Sequence, residues 1–85
     1  MVDVQISLTA RDDLESLPES VQDRIKSKLL DDVTEDPERH LRSLSGNDYS
    51  SIRVGDYRVI VDYSEDVLRV LAVGHRRNIY DRELE

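Results

Sequence analysis

"IRVGDYRVIVDY", residues 52–63, carries two β-strands and the turn between them. Gly55-Asp56 is a two-residue loop with glycine first, the composition of a type II′ hairpin turn. Such a turn pairs Val54 with Tyr57 and sets Arg53 directly opposite Arg58. Tyr57, Val59, Val61 and Tyr63 then share one face, which needs a covering layer. Arg53 and Arg58 fall on the other face. Directly opposed like charges weaken a sheet. A sequence built only for stability avoids this pair, whereas a site built for an anion uses it.

Outward from the hairpin, "VLRVLAVGH" (67–75) reads as a further strand after a turn at Ser64-Glu65-Asp66. If Tyr63 pairs with Val67, Ala72 lies opposite Arg58 and Arg76 has the same parity. Arg76 would then sit four residues, roughly 13 Å, beyond Ala72, and a twist or bulge is needed to bring it close. Arg77 has the opposite parity, and His75 points away from Arg58. In the first half, "VDVQISL" (2–8) alternates like a half-buried strand. Thr9 opens a helix, with Asp12 three residues on. Pro18 breaks it and suits the first turn of a second helix. There Val21, Ile25, Leu29 and Val33 recur at steps of four, until Asp36-Pro37 ends it. Residues 38–48 read as irregular, with Leu41 and Leu44 pinning them to the core. The order βααβββ predicts one α+β domain over residues 1–85: an antiparallel helical hairpin on one face of a mostly antiparallel four-stranded sheet.

Composition narrows the function classes. The 85 residues contain no cysteine, so disulfides and thiolate metal sites are excluded, and two separated histidines, His40 and His75, do not make a zinc site. No apolar run approaches the ~20 residues of a membrane span. The N-terminus lacks the basic and apolar regions of a signal peptide, which points to a cytoplasmic protein. No nucleotide-binding glycine loop and no serine-nucleophile motif is present. Nineteen acids against twelve bases give a net charge of −7, and ten of the bases are arginine. This acidic, lysine-poor composition reads as adaptation to high salt. The charge is uneven: residues 1–48 hold twelve acids and six bases (−6), residues 49–85 seven acids and six bases (−1). Within residues 67–80 there are three arginines and no carboxylate.

With "VLAVGHRRNIYDR" (70–82) and "LSG" (44–46), the hairpin sequence resembles the RelE/ParE superfamily of toxins over nearly the whole chain. The basic strand residues and late tyrosine make the RelE branch the nearer one. The resemblance implies a ribosome-dependent mRNA endonuclease that works without metal or other cofactor and is held in check by a cognate antitoxin protein. It implies that Arg58 and Arg76 stabilise the reacting phosphate, that Tyr80 is the C-terminal catalytic tyrosine, and that Arg53 assists proton transfer and binds RNA. Arg77, His75 and Ser51 are further RNA-binding candidates. Ser51 stands where the family has a second strand base, and serine supplies neither positive charge nor a base near pH 7. Two other expectations therefore stand beside the endonuclease: a module that only binds an antitoxin and corepresses transcription, and a ParE-like toxin directed at gyrase.

Overall fold

The computed structural model describes residues 2–43 and 49–79. β1 (Asp3–Ile6) leads into α1 (Leu8–Glu15) and α2 (Glu19–Ser27). One π-helical segment, Lys28–Val33, continues α2, and a one-turn α3 (Pro37–His40) follows. A two-residue strand β2 (Arg42–Ser43) precedes β3 (Ser50–Val54), β4 (Tyr57–Ser64) and β5 (Val67–His75). The sheet order is β1-β5-β4-β3-β2. β1 runs parallel to β5 and every other pairing is antiparallel. This is the expected α+β architecture, with a short fifth strand at the edge.

The helical layer covers the expected face. Ala10, Leu14, Ile25, Leu29 and Val33 pack with Ile52, Val54, Val59, Val61, Leu68, Val70 and Val73, and Tyr57 and Tyr63 flank them. Each fully buried aliphatic side chain contributes about 1.5–3 kcal/mol, so this one face supplies most of the apolar stabilisation. A second, smaller cluster of Ile60, Ala72 and Ile79, with Tyr49 against it, lies apart from that core.

Several local expectations are corrected. β1 stops at Ile6 rather than Leu8, because Ser7 is the N-cap of α1: its hydroxyl accepts the Ala10 N–H at 3.1 Å. Thr9 lies inside the helix, and Leu8 is exposed. Residues 38–48 are not wholly irregular, since they contain most of α3 and all of β2. Leu41 packs on the core as expected; Leu44 lies outside the described residues.

The β4–β5 register also differs. Ser64 pairs with Val67 across a two-residue turn, Glu65-Asp66, and not Tyr63 with Val67. Between Ile60↔Ala72 and Val61↔Val70 the register shifts by one, leaving Leu71 as the extra residue of a bulge. Together these changes put Gly74, rather than Ala72, opposite Arg58. The bulge also switches which parity faces the helices. Leu68 and Val70 belong to the helix-side core before it, Val73 after it, while Ala72 joins Ile60 in the separate cluster.

Side chains from the N-terminal part hold this stretch of β5. Where β1 ends, the Ser7 hydroxyl donates to the Leu71 carbonyl at 3.2 Å, and the Asp13 carboxylate accepts the Val73 N–H at 3.0 Å. These satisfy strand groups that a longer β1 would otherwise have paired.

Candidate nucleic-acid interface

The β3–β4 hairpin has the register its sequence dictates: Val54↔Tyr57 and Arg53↔Arg58. Gly55 adopts φ 59°, the left-handed conformation that glycine tolerates at the first position of such a turn. The arginines occupy the non-hydrogen-bonded pair, where Cα atoms come to about 4.5 Å. The sheet accommodates them by sending the guanidinium groups to different environments. Arg53 is exposed. Arg58 is only 9% exposed, and its Nη1 donates to the carbonyls of Gly55 and Tyr57, both at 2.9 Å. Both acceptors are neutral, and Arg58 forms no ion pair among the described residues. Its charge is thus fixed in place by neutral acceptors, with no carboxylate among the described residues to cancel it. Its Nε and Nη2 donors have no acceptor among the described residues.

Arg76 reaches the same turn from β5. Its backbone N–H donates to the Asp56 carbonyl at 2.8 Å, and its Nε lies 3.7 Å from Asp56 Oδ1. That ion pair is half-exposed and long, worth about 0–1 kcal/mol, so an incoming anion can displace it. The Glu65-Asp66 turn and the bulge at Leu71 each shift the register by one and together deliver Arg76 here: it sits two residues, not four, beyond the partner of Arg58. Gly74 is that partner, and a Cβ there would stand 3.0 Å from Ile79 Cδ1. The chain therefore folds back through Ile79 over the strand it has just left. Neither the value of Gly74 nor the crossing by Ile79 carries a motif; a glycine inside a strand is the one available sign of close approach.

The remaining candidates are placed as follows. Arg77 is exposed, and its N–H donates to His75 Nδ1 at 3.2 Å. His75 packs edge-on against the Tyr57 ring, centroids 5.6 Å apart, on the face away from Arg58. Ser51 is only 6% exposed and stands opposite Ile60. Tyr80 lies outside the described residues. Sequence reasoning passed over Arg24 on α2, whose guanidinium packs on Gly55: a Cβ at that glycine would meet Arg24 Nη2 at 3.0 Å.

The arrangement can bind an anion bidentately between arginines fixed to one turn. Among the described residues, no group of three His, Asp or Glu side chains is disposed to hold a metal ion. None of their helices is long and apolar enough to cross a membrane.

Known structures share this fold. The toxin–antitoxin complex RelBE2 of Mycobacterium tuberculosis contains a chain 26% identical, with a TM-score of 0.82 over 88% of this chain and 98% of that one. The RelB–RelE complex of Methanococcus jannaschii gives 26% identity and a TM-score of 0.73, covering 93% and 98%. The RelBE complex of Escherichia coli, at 24% identity and a TM-score of 0.73 over 88% and 96%, agrees in fold. No curated protein sequence matches significantly. The family model for the ParE toxin of type II toxin–antitoxin systems matches residues 4–80. With that match spanning both hairpins and the helical layer, the chain belongs to the RelE/ParE superfamily of type II toxins.

Proposed function

We propose that the protein is a ribosome-dependent mRNA endonuclease that cleaves without a metal. One observation carries the reading: Arg58, buried and without a carboxylate partner among the described residues, is tied to the same Gly55-Asp56 turn that Arg76 bonds. In the reaction, an RNA 2′-oxygen attacks the adjacent phosphorus and loses its proton. The P–O5′ bond breaks, and the departing 5′-oxygen takes up a proton. The products are a 2′,3′-cyclic phosphate and a 5′-hydroxyl. Arg58 and Arg76 donate to the phosphoryl oxygens as charge builds on them. Preorganised donors of this kind are often the largest catalytic contribution. Arg53, exposed across from Arg58, binds the neighbouring backbone and helps orient the RNA, with Arg77 on the rim. Tyr80, by family resemblance, moves a proton. Arginine stays protonated at neutral pH and is a poor base, so proton removal falls to Tyr80 or to the RNA and ribosome.

The natural partner is an antitoxin protein, as in the RelB–RelE complexes that share the fold, and the site of action is the cytoplasm. The composition leads us to expect activity in high salt. At about 1 M ionic strength screening acts within about 3 Å, which leaves direct arginine–phosphate contacts as the effective ones. The match to the ParE family model favours one second reading, a toxin directed at gyrase.

Primer extension on messages programmed into ribosomes, at low and high KCl, separates the readings. Cuts at the A-site codon from wild type, absent with Arg58→Ala or Arg76→Ala in folded protein, are the expected result. Intact messages together with altered plasmid supercoiling would move the assignment to gyrase. Intact messages and unaltered supercoiling, with tight antitoxin binding, would leave a corepressor module.

A further inference from the structure

The Gly55-Asp56 turn is approached from both sides of the sheet. Arg58 holds the Gly55 carbonyl from the open face, and Arg24 packs on Gly55 from α2. Beside Arg24 lies an open groove of about 480 Å³ between α2 and the β3–β4 hairpin, lined by Arg24, Lys28, Arg53 and Gly55 and, along the helix, by Asp31 and Asp32. Arg53 therefore belongs to both surfaces: it lines the groove and stands opposite Arg58.

The groove is mostly polar, with Val54 at its turn end. Arg24 lies against the turn, whereas Asp31 and Asp32 come seven and eight residues later, roughly 10–12 Å along a helix. Lys28, midway, is 3.9 Å from Asp32. Arg24 and Arg53 are exposed and form no ion pair among the described residues. Asp23, next to Arg24, also lines the groove, so an anion at the turn end would meet two guanidinium groups that form no ion pair among the described residues, beside one carboxylate, and two further carboxylates at the other end.

We infer that Arg24 and Arg53 bind a second backbone phosphate of the single-stranded RNA, one step removed from the phosphate held by Arg58 and Arg76. The ligand class is a phosphodiester, and the acidic end of the groove limits the contact to the turn. This rests on the endonuclease reading. Arg24 holds substrate and takes no part in bond breaking, so its loss raises the RNA concentration needed for half-maximal cleavage and leaves the maximal rate nearly unchanged.

The test uses a fluorescent, uncleavable 2′-deoxy-substituted RNA oligonucleotide, titrated against wild type, Arg24→Gln and Arg24→Lys over a range of KCl. Cleavage of programmed ribosomes is measured in parallel. Arg24→Gln should weaken oligonucleotide binding about three- to tenfold, and one lost phosphate contact should reduce the slope of log affinity against log salt by about 0.7. Arg24→Lys should restore most of both. An unchanged slope in Arg24→Gln overturns the inference. So does a fall in maximal rate and melting temperature that lysine does not rescue, because Arg24 would then serve only to brace the turn. Wild type that binds the oligonucleotide but leaves programmed messages intact would refute the endonuclease reading while the Arg24 slope still decides the phosphate contact.

Discussion

β4 ends in two-residue turns at both extremities, and the two turns differ in charge and backbone. At Gly55-Asp56, glycine takes the positive φ, and Arg24, Arg58 and Arg76 each pack on or bond to the turn. At Glu65-Asp66, two acidic residues adopt φ 50° and 63° themselves. There the Asp66 carbonyl accepts the Asp3 N–H, and Tyr63 donates its hydroxyl to the Asp66 carboxylate at 3.3 Å. One turn gathers cations and relieves backbone strain with glycine. The other tolerates strain and helps join β1 to the sheet. Both loops are two residues long, so the charge asymmetry does not follow from loop length; it supports the proposal that the ligand meets the Gly55 end.

Substitution at the two ends should separate these roles. The largest effect belongs to Arg58→Ala, expected to slow A-site cleavage by about 10²–10³, the scale of one lost oxyanion donor. Arg58→Lys should recover little, because lysine keeps the charge and loses the fork. Equal loss of cleavage on replacing Glu65 or Asp66 would erase the distinction between the turns. Next in size is Gly55→Ala. Forcing a Cβ to φ 59° beside Arg24 should cost about 1–2 kcal/mol in urea unfolding. Asp66→Gly should do the reverse, stabilising by about 0.5–1 kcal/mol, since glycine accepts the left-handed conformation that aspartate holds under strain.

The smallest effect is alkaline. Partial burial, and then the neighbouring Asp66 carboxylate, raise the Tyr63 phenol above its ordinary value of 10.0. The neutral phenol is the form the fold favours. Its contribution is fully present below the unfolded value and is lost as pH climbs through the higher folded one. Tyr63→Phe should flatten the decline in melting temperature above about pH 10. An unchanged alkaline slope would show that Asp66 does not communicate with Tyr63 in solution.

The ligand-end turn was legible because its register depends on two residues. Glycine in first place and an alternating Tyr57–Tyr63 face leave one pairing, and Arg53↔Arg58 follows. The helix-side residues were legible from their spacing. Leu71 was not: nothing in "VLRVLAVGH" distinguishes a bulge from continuous alternation, and Leu68, Val70 and Val73 report it only once their common face is known. Thr9 reads as the helix start because the strand alternation runs on through Leu8. The hydroxyl that competes for both the helix start and the Leu71 carbonyl decided otherwise. Arg24 gave no sign, since an exposed arginine on a charged helix is ordinary until its neighbour proves to be Gly55.

The two contacts from residues 7 and 13 to β5 also bear on synthesis. The earliest part of the chain fixes the register of its final strand, across sequence separations of 64 and 60 residues. A nascent chain ending before residue 67 can close the β3–β4 hairpin and carry Arg53 and Arg58, but it has no β5, no bulge and no Arg76. The arginine cluster is completed only after the last strand has left the exit tunnel.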